Sequence, residues 1–382
     1  MSHTGFFTVS AMFPADSACS NTMARKNHIP LSLTIGLLLS AIALYLTFSN
    51  IPLRELVAYL KTVNYWWIIP SMAIALLSFL VRVIRWQLLL QPVKKTPFWS
   101  AFHPLMIGFM ANCLLPARVG ELARPIIFYK RENVSFSMVL ATVGAERVFD
   151  IVMLLSFLAV ALINVDINPA IEIPFGNYQL NKATLSMIGS TTLRLCVILI
   201  AGIIFVMLRQ GRTLIRRTVV KMPALLFFTT ASFKKKLQQK LDLKSAVILN
   251  NFAKGFTLLK SPKKIGLCIA LSFIVWALMA GSYYVMSFGC PGIDISFFEM
   301  WAVMVIICLF ISLPSAPGFW GIWEAGGIFG LLIFGIPAKE AAGFTLANHV
   351  FQMVPVIVVG LISAIITGIN VMQIVYRTHV GS

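Results

Sequence analysis

The chain has 382 residues, of which 59% are apolar and only 12% charged, and its formal net charge is +18; its mean hydropathy is +0.88. A soluble domain carries about 25% charged residues, so this composition excludes an ordinary water-soluble globule. The basic residues cluster between apolar runs, which reads as a positive-inside topology signal and not as a nucleic-acid-binding surface.

Apolar runs of this length are too long for barrel strands, and backbone polar groups in lipid must be satisfied within a helix. The expectation is therefore an all-α, polytopic integral membrane protein. Cys19, Cys113, Cys196, Cys268, Cys290 and Cys308 form no CxxC or Cys/His pattern, and most lie within apolar runs. They read as small core residues with no metal role.

Residues 1–29 form a tail without a signal-peptide pattern, and Met23-Ala24-Arg25-Lys26 is a more natural start than Met1. The first membrane half is expected over 30–208. Its first span runs from about Pro30 to Phe48, followed by an interfacial amphipathic stretch, Ile51 to Asn64. Tyr65-Trp66-Trp67 opens a second span ending near Leu90, where Arg82, Arg85, Lys94 and Lys95 mark the cytoplasmic side. The region Phe102 to Lys130 is interrupted around Pro116 and Gly120, and its apolar part is too short for a full span. A re-entrant hairpin fits better, since broken backbone at membrane depth must line a cavity or be buried in protein.

A third span, Ser135 to Ile163, carries Glu146, Arg147 and Asp150; a polar loop and a fourth span, Leu185 to Leu208, complete the half. The connector 209–264 holds fourteen Lys/Arg against one acid, Asp242, and is expected on the cytoplasmic side near anionic headgroups. The second half, 265–376, has a span from Ile265 to Phe288, a second broken region from Phe297 to Gly335 with Pro314, Pro317, Gly318 and Gly321, and a last apolar stretch from Ala338 to Val375 containing Pro355. Residues 377–382 are a tail. The sum is about six full spans plus two re-entrant hairpins, six to eight helices in all.

The two broken regions resemble each other. Leu115-Pro116 matches Leu313-Pro314, Glu121 follows the first break and Glu324 the second, and 25 residues after each comes a polar residue mid-way along the next span, Glu146 and His349. From a cytoplasmic N-terminus the hairpins enter on opposite sides, as in inverted-topology repeats with a midplane binding site.

Charges at a helix centre cost about 2.5–3.5 kcal/mol each on insertion scales, so those in the third span need partners or a function. Arg147 and Asp150 are three apart and can pair. Glu146 and Asp150 are four apart and repel if both are ionised, so one needs a further cation: Arg118, Arg124 or Arg85. A buried network of Arg118, Glu121, Arg124, Glu146, Arg147 and Asp150 would satisfy all of them. Two readings stand side by side: a lock between hairpin and span, or a site where a surplus arginine binds a lipid phosphate. Arg82 and Arg85 also read as snorkelling interface anchors. In the second half Glu324 and His349 are either a packing pair or proton carriers. The chain has no P-loop, HExxH or GxSxG pattern.

Asn112-Cys113-Leu114-Leu115-Pro116-Ala117-Arg118-Val119-Gly120-Glu121, then Arg124-Pro125, resembles the first signature of the lysylphosphatidylglycerol synthase transmembrane-region family, also called the flippase-like domain family, which includes UPF0104-type inner-membrane proteins. Glu146-Arg147-Val148-Phe149-Asp150 resembles its second signature. Leu313-Pro314, Pro317-Gly318, Gly321 and Glu324 resemble its third. The resemblance covers residues 30 to 375. It implies a multi-pass protein of the bacterial inner membrane, both termini cytoplasmic, that moves lipids between leaflets: aminoacylated phosphatidylglycerol, polyprenyl-phosphate-linked sugars or hopanoid-type lipids. Some members continue into a soluble aminoacyl-transferase domain; this chain stops at Ser382, so synthase activity is not expected. His349 departs from the pattern, which leads one to expect an arginine in the final span.

The functional expectation is a lipid translocase, not an enzyme, with no cofactor and no metal. Arg118, Arg124, Arg147 and Arg85 would bind the anionic headgroup. Glu121, Glu146, Asp150, Glu324 and His349 would balance charge or carry protons. The partners are membrane lipids, with a lipid-synthesis enzyme or a second copy as further candidates. The alternative is a membrane-embedded enzyme or an accessory partner of a lipid-synthesis or glycosyltransfer enzyme.

Overall fold

Each half of the chain repeats one order: a long helix, two short helices, a long helix. The computed structural model describes residues 52–115, 118–164, 173–175, 178–180, 208–221, 231–255, 261–312 and 317–369, with isolated residues between 38 and 49 and between 194 and 206. The expected tails, most of the first and fourth spans, and the break residues Pro116 and Pro314 lie outside the described residues.

The first half begins with α1, Leu53–Thr62, and a short 3-10 turn, Tyr65–Trp67. Then come α2, Ile68–Leu90, α3, Phe98–Leu114, α4, Val119–Glu132, and α5, Phe136–Asn164. The polar loop after α5 contains a two-strand antiparallel ribbon, β1 Ile173–Phe175 with β2 Tyr178–Leu180. The connector supplies α6, Arg209–Lys221, and α7, Ala231–Gly255, tied by two hydrogen bonds from Arg216 to Asp242 at 2.5 and 2.6 Å. The second half is α8, Pro262–Ser287, α9, Phe297–Phe310, α10, Ile322–Ile333, and α11, Ala338–Thr367.

Among the described residues, three helices are long and apolar enough to cross a membrane: Tyr65–Leu90, Pro262–Ser287 and Ala338–Thr367. α5, at 29 residues, has a similar length but carries charges at its centre. The short helices differ in kind. At 17 and 14 residues, α3 and α4 reach only about 26 and 21 Å at ~1.5 Å per residue, less than the ~30 Å hydrocarbon core. α9 and α10, 14 and 12 residues, also fall short of it. The architecture is that of an all-α, multi-pass membrane protein with two broken hairpins, α3–α4 and α9–α10.

Small polar side chains let α2 and α8 approach closely and bond across their interface. Ser71 Oγ donates to the Ser282 carbonyl at 2.9 Å and Ser282 Oγ to the Ser71 carbonyl at 3.0 Å, the kind of contact that substitutes for hydrophobic driving force in lipid. Ser78 meets Met279 and Arg85 meets Ser272 further along, so the partner number falls as the residue number rises and the helices are antiparallel. α3 leaves from the end of α2 and α9 from the end of α8, so the two hairpins enter from opposite faces. α3 packs on α11 just as α9 packs on α5. The order of elements and these reciprocal contacts make the halves an inverted repeat.

Local chemistry sets the ends. α9 starts in a capping box, Glu299 N–H to Ser296 Oγ at 3.3 Å and Ser296 N–H to Glu299 Oε2 at 2.6 Å. α11 runs through Pro355 and stops at Gly368, whose φ of 64° ends the helix. Within the first hairpin α3 and α4 touch backbone to backbone: a Cβ on Gly120 would run into the Gly108 carbonyl oxygen. At the open end of that hairpin Lys94 Nζ lies 2.7 Å from Glu132 Oε2 and donates to its carbonyl at 3.0 Å. The amphipathic α1 buries Leu56 and Tyr59 against α11 and leaves Leu53 and Val57 exposed, as an interfacial helix does.

Candidate functional site

Charged side chains from three helices meet between the long helices, and each carboxylate finds several cations. On α2, Arg85 is fully buried; its Nη1 lies 2.7 Å from Asp150 Oδ1 and 2.8 Å from Ser272 Oγ, and its Nη2 lies 3.1 Å from Glu146 Oε1. From α4, Arg124 Nη2 lies 2.8 Å from Glu146 Oε2, with its guanidinium 3.6 Å above the Trp86 ring. Arg147 Nη2 lies 3.3 Å from Glu146 Oε1 and 3.4 Å from Asp150 Oδ2. Trp276 Nε1 donates to Asp150 Oδ1 at 3.1 Å. Arg82 is held most weakly: its Nη1 is 3.9 Å from Asp150 Oδ2, its Nε has no hydrogen-bond partner, and its guanidinium sits 4.9 Å from the Trp276 ring. Four guanidinium groups thus meet two carboxylates, a surplus of two positive charges when all are ionised.

The tips of the two hairpins meet beside this cluster. Arg118 caps α4 in the left-handed region, φ 52°, and its Nη2 donates to the Ile311 carbonyl at the end of α9 at 2.5 Å. Glu121 faces it at 3.7 Å. Across the tip, the turn Pro317–Phe319 packs on α3, and a Cβ on Gly318 would lie 3.2 Å from the Cys113 carbonyl oxygen. Between the tips and the long helices lies a cavity of about 190 Å³. Arg82, Arg118, Glu121 and Arg147 line one part; Trp276, Tyr283, Trp323 and Gln352 line another. The space is below the ~300–1,000 Å³ of sites that enclose a drug-sized ligand, so it has room for a small polar group only.

The second half carries its own buried pair. Glu324 is the third residue of α10, as Glu121 is of α4. Its Oε2 accepts from the Gly321 N–H at 2.7 Å and its Oε1 lies 2.6 Å from His349 Nδ1. His349 Nε2 lies 2.8 Å from the Gly318 carbonyl oxygen. The imidazole stacks on the Trp323 indole, ring centres 4.4 Å apart and planes 3° apart, and the Trp320 indole lies 4.5 Å away, tilted by 45°. One turn on, Gln352 Nε2 donates to Ser282 Oγ at 2.5 Å, and its Oε1 has no partner.

The expected six-residue network divides. Arg124, Glu146, Arg147 and Asp150 are joined, but Arg118 and Glu121 form a separate, part-exposed pair at the hairpin tip, because the turn carries Arg118 towards α9 instead of α5. The reading of Arg82 and Arg85 as snorkelling anchors is corrected: both are buried, at 5% and 0% exposure, because α5 presents carboxylates to them. Of the four expected headgroup arginines, Arg118 and Arg147 line the cavity, while Arg85 and Arg124 lie behind it, engaged by carboxylates. Gly120 serves close approach. Gly318 and Gly321 supply positive φ, 72° and 84°, and Pro317 opens the turn between them and α9. The place of Arg82 in the cavity wall, Trp276 and the indoles around His349 were not anticipated. Arg82 was detectable: it lies three residues before Arg85, so one face of α2 carries both charges.

A multi-pass helical protein with inverted broken hairpins around a charged central cavity is the class that fold and site define. The sequence matches the family described as lysylphosphatidylglycerol synthase TM region over residues 33–360, and the chain belongs to that family. It is 23% identical over 303 residues to a UPF0104 membrane protein of Pyrococcus horikoshii, covering 75% of this chain and 83% of the relative. It is 26% identical over 135 residues to the glycosyltransferase AglD of Haloferax volcanii, covering 35% of this chain and 21% of that protein.

Proposed function

We propose that the protein moves an anionic lipid between leaflets without altering it, the headgroup passing through the midplane cavity while the tails remain in the bilayer. The observation that carries this is the surplus of two positive charges in the buried cluster, with Arg82 and Arg147 of that cluster and Arg118 of the hairpin tip lining the cavity. A phosphate there meets planar guanidinium forks suited to its oxygens. It also avoids much of the several kcal/mol that a charge costs in hydrocarbon. The family description ties the fold to a phospholipid synthase, and one relative's name speaks of sugar transfer, which keeps both phospholipids and polyprenyl-phosphate-linked sugars as substrate classes.

The proposal places the protein in a bacterial cytoplasmic membrane, with both termini and the basic connector on the cytoplasmic side. The face carrying Lys94, Lys95, Lys130 and Arg131 supports this orientation.

The test is a headgroup-accessibility assay in proteoliposomes containing labelled anionic or zwitterionic phospholipid. Transfer of unmodified anionic lipid, reduced at least tenfold in a folded Arg118→Ala variant, is expected. Unchanged transfer in that variant removes Arg118 from the path. A chemically modified lipid would establish a membrane-embedded enzyme instead. Neither outcome, together with co-purification of a synthase, would establish an accessory partner.

A further inference from the structure

The hydrogen bonds around His349 require a proton that the ordinary neutral-histidine, ionised-glutamate pair does not hold. The Gly318 carbonyl oxygen, 2.8 Å from Nε2, can only accept, so Nε2 carries a hydrogen. Glu324 Oε2 is occupied by the Gly321 N–H at 2.7 Å. The remaining contact, Nδ1 to Oε1 at 2.6 Å, then needs one more hydrogen. It sits on nitrogen, giving an imidazolium beside a carboxylate, or on oxygen, giving a carboxylic acid beside a neutral ring. Without it two lone pairs face each other where both side chains are fully buried. With it the pair is neutral overall, and the imidazolium form gains from the Trp323 indole stacked on it and the Trp320 indole nearby.

We propose that His349 and Glu324 form a proton-binding site that clamps the 317–321 turn against the cavity, so that passage of the headgroup is linked to a proton. The transport consequence rests on the translocase reading above; the proton site does not. The turn needs a clamp: Gly318, Phe319 and Gly321 have φ of 72°, 61° and 84°, and a non-glycine residue in that region is held only by its surroundings. His349 holds the Gly318 carbonyl and Glu324 the Gly321 N–H. Loss of the shared proton, to water, leaves the pair with one negative charge and sets the carboxylate against the ring, freeing the strained turn. Phe319 and Trp323 are part of the cavity wall, so the wall moves with it.

The charged and titratable groups that neighbouring elements bring to the cavity are Arg82 of α2, Cys113 of α3, Arg118 and Glu121 at the first tip, Arg147 of α5, Tyr283 of α8 and Cys308 of α9, and Tyr59 of α1 lies beside Gly343. Three arginines against one carboxylate, Glu121, leave the lining positive, which favours the proton-free pair until an anion screens it. Headgroup binding and proton binding therefore assist each other, as reciprocal linkage demands.

The experiment uses the full chain in nanodiscs and measures alkylation of Cys113 and Cys308 by a small neutral maleimide, read by mass spectrometry, against pH. Glu324→Gln is the reference: its amide donates to Nδ1 and its oxygen accepts from Gly321, so every bond survives with no proton to lose. The thiols' own ionisation cancels in the ratio of wild type to variant. That ratio is expected to rise about threefold or more across the range in which histidine side chains change charge, about pH 5 to 8. A ratio that stays constant overturns the proposal. If Glu324→Gln does not fold, nitrogen NMR of the His349 imidazole in the wild-type protein over the same pH range decides, and ring-nitrogen shifts that stay constant overturn the proposal. In proteoliposomes an imposed pH gradient should change lipid transfer by wild type and not by Glu324→Gln; equal responses overturn the linkage. Absence of transfer under every condition overturns the translocase reading, while the alkylation ratio still decides the proton site.

Discussion

Replacing Arg82 and Arg85 separately by methionine separates the structural role of the ion cluster from its proposed role in binding. Arg85 contacts Asp150 at 2.7 Å and Glu146 at 3.1 Å with its side chain fully buried. Removing one partner of such a buried set costs about 3–5 kcal/mol, because the remaining charges lose their compensation, and that is a large share of a total stability of about 5–15 kcal/mol. Arg82 differs. Its nearest carboxylate oxygen is 3.9 Å away, and Asp150 keeps Arg85 and Arg147 without it. A methionine preserves the packing of the stem near Phe79, Phe109 and Trp276, and because Arg82 is a surplus cation its loss leaves no buried carboxylate uncompensated, which is the condition that makes removal of one partner costly. For function the ranking reverses. A headgroup phosphate about 5 Å from the lost guanidinium forfeits about 3 kcal/mol at an effective dielectric of ~20, roughly a hundredfold in affinity. Thermal unfolding in nanodiscs, followed by intrinsic fluorescence, and lipid transfer at limiting substrate read the two quantities. Arg85→Met should melt well below wild type, and Arg82→Met close to it with transfer reduced about a hundredfold. An Arg82→Met protein that transfers anionic lipid at the wild-type rate, or that melts as low as Arg85→Met, refutes this reasoning.

Gly120→Ala places a methyl group against the Gly108 carbonyl and should destabilise the first hairpin by about 1–3 kcal/mol; a melting temperature equal to wild type would show that α3 and α4 separate without penalty. The Lys94 ammonium, 2.7 Å from the Glu132 carboxylate, holds that carboxyl below its ordinary range at the membrane surface. A pKa lower in the folded protein than in the unfolded chain gives stability that is present above the ordinary carboxylate range and lost as pH falls through the folded value. Because Lys94 is 42% exposed, the contribution is only about 0.5 kcal/mol. Glu132→Gln should remove that part of the acid-side slope of stability against pH, and an unchanged slope would exclude the pair as its source.

Much of the molecule is legible in its sequence because membrane helices state their requirements locally. Runs of apolar residues of the right length, interrupted at 116–121 and 314–321, announce long helices and broken ones, and helix length against bilayer thickness identifies the hairpins. The spacing of Glu121 to Glu146 and of Glu324 to His349 already carries the repeat, and the structure places the two glutamates at the same position of equivalent helices. The charges of α5 declare a buried polar centre, since three in one apolar helix cannot face lipid.

Which charge meets which is a different matter. Periodicity tells which residues share a face of one helix, but not which other helix lies against that face. Arg85 bridges to carboxylates 61 and 65 residues away and Trp276 reaches one 126 residues away; those partners follow from the antiparallel pairing of α2 with α8 and the position of α5 beside them. The same holds for Arg118, whose sequence neighbours suggest the α5 cluster while the turn delivers it to α9. Sequence alone thus determined that this is a helical membrane protein with two breaks and a charged centre. The tertiary structure decided that the centre is two groups of polar residues, an arginine-rich cluster and the buried Glu324–His349 pair, because ion pairs across helices depend on packing and not on spacing along the chain.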